Sequence, residues 1–126
     1  MKTTAAVAIV VACVLGTFGG AAVRSAETAD VTLAGEVVDL HCYLTRGASG
    51  TEHAECANAC LARGVTPGFL ADDGRVFVLL GTRPFPLKDQ IAGLAGEKVT
   101  LTGTPVERGG VRAFQLKTVE RRDTAR

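Results

Sequence analysis

The sequence predicts a small, mainly β domain of five strands, closed or nearly closed into a barrel, with one helix after the first strand and a short one before the fourth. Three observations predict it. Short apolar runs of alternating pattern recur along the chain. Glycine-bearing turns such as Asp72-Asp73-Gly74 and Glu107-Arg108-Gly109-Gly110 separate them. The 126 residues also leave only about 100 for folding once the N-terminal segment is set aside, enough for one core.

That segment carries Lys2 and then no charge from Ala5 to Val23, the layout of a Sec signal peptide. Small residues place cleavage after Ala22 or Ser25, so residues 1–25 are expected to be removed and 26–30 to form a short linker. The expected location is the periplasm or the exterior. Two alternatives stay open. Val10-Val11-Ala12-Cys13 has the shape of a lipoprotein processing box, and about 19 apolar residues are long enough for an uncleaved membrane anchor. After cleavage no membrane association is expected.

The folded domain is expected over residues 31–120, followed by a charged tail at 121–126. In the first strand, Val31 to Leu44, the apolar residues Val38, Leu40, Cys42 and Leu44 alternate with Asp39, His41 and Tyr43. Cys42 would then face the core, and Asp39, His41 and Tyr43 the solvent. Ser49 with Glu52 resembles a capping box for a helix from about Thr51 to Arg63, which Gly64 ends. Phe69 to Ala71 and Arg75 to Leu80 form a hairpin around Asp72-Asp73-Gly74. Leu87 to Leu94 make the short helix, with Ile91 and Leu94 inward. Val99, Leu101 and Gly103 alternate in the fourth strand. The fifth would turn Val111, Ala113, Leu116 and Val119 inward, and its broken step from Ala113 to Leu116 predicts a bulge.

Charge excludes some functions. Lys2 and Arg24 leave with the signal, so 12 of the 14 basic residues face 13 acidic ones, a net of about −1. With no tryptophan and one tyrosine, the chain lacks the basic groove and stacking aromatics of a nucleic-acid binder. Nucleophile-elbow, zinc-protease and phosphate-loop motifs are absent, and no C-x-x-C-H supports haem.

The chemistry-bearing residues converge around the helix. His53, Cys56 and Cys60 stand at i, i+3 and i+7, within about a 60° stripe of one face. A short loop brings Cys42 to the same place. Three thiols and an imidazole form a ligand set for tetrahedral zinc and suit copper(I) as well, although C-x3-C on a helix is not the tight knuckle of most structural zinc sites. The competing reading is a disulfide from Cys42 to Cys56 or Cys60, worth roughly 3 kcal/mol for so short a loop, with one thiol left over. A redox site with an activated thiolate is the third reading. His41 and the pair Asp72-Asp73 are read as a solvated strand face and a turn.

Gly35-Glu36-Val37-Val38-Asp39-Leu40-His41-Cys42, then His53-x-x-Cys56-x-x-x-Cys60, Gly74-Arg75-Val76-Phe77-Val78-Leu79 and Ala95-Gly96-Glu97-Lys98-Val99-Thr100-Leu101-Thr102-Gly103 together resemble small secreted bacterial proteins of uncharacterised function. In these a D-x-x-C strand precedes an H-x2-C-x3-C helix. The resemblance covers residues 33 to 120 and implies an OB-like barrel with the helix inserted after the first strand; it implies no activity. The expected function is a non-enzymatic, monomeric exported module that binds a zinc or copper ion through Cys42, His53, Cys56 and Cys60. The alternatives are a disulfide-stapled envelope module for a protein or small ligand, and a thiol-redox partner.

Overall fold

The computed structural model describes residues 29–83 and 86–123. The signal or anchor expected in residues 1–25 lies outside them. Five strands, β1 (Val31–Asp39), β2 (Pro67–Ala71), β3 (Val76–Leu80), β4 (Lys98–Arg108) and β5 (Val111–Arg121), close into a barrel in the order β1-β2-β3-β5-β4. All neighbours are antiparallel except β3 and β5, which run parallel with Val78 opposite Ala113. Helix α1 (Leu40–Arg46), a 3-10 turn (Thr51–His53) and helix α2 (Ala54–Ala62) lie between β1 and β2, and the single-turn α3 (Leu87–Gln90) precedes β4.

The barrel interior is apolar and aromatic. Phe114 is fully buried, with ring centroids 6.5 Å from Phe69 and 6.0 Å from Phe77. Val37, Val99, Leu101 and Leu116 fill the space around them, and Ile91 and Leu94 are buried as their spacing predicts. The expected bulge is present: Thr102 pairs with Thr118 but Gly103 with Leu116, leaving Lys117 as the extra residue. It changes the inward set. Phe114 and Leu116 belong to the core, whereas Val111 is exposed, because the phase before the bulge runs through Phe114 rather than Val111. β5 continues through Arg121, and Arg122 reaches back to pair with Asp72 at 2.8 Å.

The first strand is shorter than its alternation predicts. It ends at Asp39, whose side chain accepts the Cys42 N–H at 3.0 Å and so caps α1. A local cap of this kind outweighs a period-two pattern, because it satisfies a helix-start N–H that would otherwise have no partner. Gly47, in the left-handed conformation at φ 67, ends α1 with its N–H on the Tyr43 carbonyl at 2.7 Å. Ser49 makes no cap. The residue before the 3-10 turn is Gly50, whose N–H is taken by the buried Glu36 carboxylate of β1 at 2.7 Å.

Helix α2 docks through Ala54, Ala57, Asn58 and Leu61, so its thiol stripe lies to one side of the docked face. Ala57 is buried, and Asn58 clasps Ala95 in both directions, donating to its carbonyl at 3.2 Å and accepting its N–H at 3.1 Å. Ala95 is fully buried. Asn58→Ala therefore strands two backbone groups and is expected to lower the unfolding free energy by about 2–3 kcal/mol. Asn58→Asp, which can still accept, should lose roughly half as much by urea denaturation.

Candidate metal centre

Each member of the site is held by a different local device. Asp39 is 1% exposed at the end of β1; Oδ1 is committed to the α1 cap, and Oδ2 has no partner of hydrogen-bond geometry. Cys42 stands in the first turn of α1, buried, and its Sγ accepts from Arg46 Nη2 one turn later at 2.9 Å. His53 closes the 3-10 turn, and its Nε2 is buried without a partner. The ligand atoms of Asp39, Cys42 and His53 lie within 4.8 Å of one another. Atoms bound to one tetrahedral zinc at 2.0–2.3 Å are about 3.5 Å apart, so an adjustment of about 1 Å brings the three onto a common ion.

Cys60, half-buried on α2, borders this group. Its thiol lies beside the Asp39 carboxylate; that contact first, then burial and the nearby negative charge, push it up to about 11. Cys60 also meets Cys56, which is exposed one helical turn earlier. For Asp39, burial favours the neutral form, but the Cys42 N–H and the thiols of Cys60 and Cys42 outweigh it and hold the carboxyl below its usual range. The carboxylate is thus ionised around neutrality. The Arg46 guanidinium feels Cys42 most, and Cys56 and Asp39 as well.

Of the residues singled out by spacing, Cys42 and His53 meet in the compact group, while Cys60 and Cys56 extend it outward along α2. Cys42 reaches the site from a helix, not from a strand face. Its burial is as expected, but the reason is the Asp39 cap. Asp39, placed on the solvent face by strand alternation, is the member that alternation conceals. The signal that identifies it is an Asp three residues before Cys42, the spacing of an N-cap to the N3 amide. His41 is exposed, as expected. The disulfide is absent: Cys42, Cys56 and Cys60 are all free thiols. Asp72 and Asp73 form ion pairs, Asp72 with Lys98 and Arg122, Asp73 with Arg75.

The raised Cys60 thiol has a measurable consequence. A folded value near 11 against an ordinary 9.0 favours the fold at pH below 9, and that contribution is lost as pH rises through 11. The alkylation rate of Cys60 against pH should show its midpoint near 11 in the metal-free chain and a lower one in Asp39→Asn, still above the ordinary 9.0 because burial and Cys56 remain. A midpoint near 9 in both would show that the carboxylate does not hold the thiol.

Comparison of the chain with family models, with curated proteins and with solved structures gives no match.

Proposed function

We propose that this protein is an exported, non-enzymatic module, built on an OB-like barrel, that binds one transition-metal ion through Asp39, Cys42 and His53 with Cys60 as the fourth ligand. Two observations carry the reading: a ligand atom from each of Asp39, Cys42 and His53 lies within 4.8 Å of the others, and Asp39 Oδ2 and His53 Nε2 are buried without a hydrogen-bond partner. Buried polar atoms in folded proteins find partners, and a cation answers both of these at once. The strand order and the parallel β3–β5 pair support the OB-like reading of the barrel. Export rests on the uncharged N-terminal run behind Lys2.

The donor set favours zinc over copper(I). An ionised carboxylate and an imidazole beside one or two thiolates suit a borderline cation without geometric preference, whereas copper(I) favours sulfur throughout. A thiol-exchange role fits less well, since an attacking cysteine needs a lowered thiol value and Cys60 is shifted the other way.

The test is mass spectrometry of the chain purified without strong chelator, under native and denaturing conditions. One zinc per chain in the native spectrum, with three alkylatable thiols among Cys42, Cys56 and Cys60 after denaturation, supports the proposal. No metal with a mass two hydrogens light would replace it with the stapled module.

A further inference from the structure

Resting on the metal reading above, we propose that Cys56 is an entry thiol rather than a resident ligand. It takes zinc at the surface from an anionic thiolate complex and passes it through Cys60 to Asp39, Cys42 and His53.

The three thiols are graded in depth: Cys56 is exposed, Cys60 half-buried and Cys42 buried. They also form a continuous path. Cys56 and Cys60 are one turn apart on α2, the spacing at which side chains meet on a helix surface, and Cys60 in turn adjoins the Asp39 carboxylate. Asp39, Cys42 and His53 form the compact group, and both α2 thiols lie outside it, Cys60 next to Asp39 and Cys56 beyond. Ligand exchange on a thiolate-bound metal proceeds when the incoming sulfur touches the ion before the outgoing one leaves. A metal wrapped in small thiols is too bulky to reach buried Cys42 directly, so the first contact falls to the exposed thiol.

Arg46 sets the class of donor. Its guanidinium bonds the inner thiol, Cys42, at 2.9 Å and is close enough to Cys56 to interact electrostatically with it. Such a charge attracts an anionic zinc–thiolate complex and steers its approach.

The transfer balances without any redox change. The Cys56 sulfur bonds to Zn2+ as one donor thiolate leaves, and the proton given up by Cys56 goes to that thiolate. Cys60 then bonds and its proton goes to the second departing thiolate. As Cys42 gives its proton to water and binds with Asp39 and His53, the Cys56–zinc bond breaks and Cys56 recovers a proton from water. Zinc remains divalent throughout, and two donor thiols are released.

The full chain, its Cys56→Ser variant and its Cys42→Ser variant are mixed in a stopped-flow instrument with zinc as its glutathione complex, and separately with zinc chloride. For Cys56→Ser, capture from the complex should slow about tenfold or more. Its final stoichiometry should be unchanged and its zinc Kd within about threefold of the parent, as for a surface substitution. Cys42→Ser should instead lose affinity from either source. An unchanged capture rate in Cys56→Ser would overturn the entry role, as would a loss of affinity as large as that of Cys42→Ser. Failure of the parent chain to bind zinc from either source would overturn the metal reading itself.

Discussion

Asp39→Ala is expected to cost the protein both its metal and part of its stability. Loss of the α1 cap should lower the unfolding free energy by about 1 kcal/mol, and loss of a ligand should weaken zinc binding about 100-fold or more. Asp39→Asn separates the two roles. Its amide oxygen can still accept the Cys42 N–H that Oδ1 holds at 3.0 Å, so the urea midpoint without metal should fall less than in the alanine variant. Affinity for zinc should nevertheless fall as far as in the alanine variant, because the second oxygen, now an amide, no longer ligates. The acid limb provides a further check. With its folded value below 3.8, Asp39 contributes stability at pH above 3.8 that is lost as pH falls through the folded value, and Asp39→Asn should flatten that limb. Equal zinc affinity in parent and asparagine variant, by competition with a chromophoric chelator, would remove Asp39 from the site.

Gly96→Ala should damage fold and site together. Gly96 has φ +79, and a Cβ there would lie 2.7 Å from both the Ala54 Cβ and the Gly50 carbonyl oxygen. Its N–H is fixed on the Val37 carbonyl at 2.9 Å, so the segment cannot retreat without losing a β1 contact. The left-handed backbone costs a side-chain-bearing residue roughly 1–2 kcal/mol, and overpacking adds about 1–3 kcal/mol. A combined loss of about 2–5 kcal/mol is expected in thermal or urea unfolding. The start of α2 must move, and His53 with it, so zinc affinity should drop although Gly96 carries no ligand. A fully stable variant with parental affinity would show that the packing of α2 on this segment is looser than 2.7 Å implies.

Much of this architecture is legible in the residues themselves. Asp72-Asp73-Gly74 and Gly109-Gly110 announce their hairpins because a glycine at positive φ is what those turns require. Val99, Leu101 and Gly103 alternate cleanly because one face of β4 is core. The bulge announces itself as a missed step between Ala113 and Leu116. What alternation hides is the end of β1. Leu40, Cys42 and Leu44 continue the strand period by coincidence, while the deciding factor is a single hydrogen bond from Asp39 to an amide three residues on. A strand period carried through that cap places a buried carboxylate on the solvent face. The same holds for Glu36, whose bond to Gly50 spans fourteen positions and replaces the local Ser49 cap. Cys42 and His53 were legible from donor chemistry and spacing, whereas the order of the thiols from surface to interior is set by how α2 seats on Ala95 and Gly96.

Asp39 and Pro67 are register partners in the β1–β2 ladder, and the Leu40 N–H reaches the Thr66 carbonyl at 3.1 Å just beyond them. The chain therefore departs from the barrel and rejoins it at a single neck, and residues 40–66 form one excursion from an ordinary antiparallel hairpin. Its other anchors lie on the barrel: Glu36 takes the Gly50 N–H, and Ala95 is clasped by Asn58. Grafting the excursion onto another hairpin would mean carrying Glu36 and the Ala95-Gly96 segment with it.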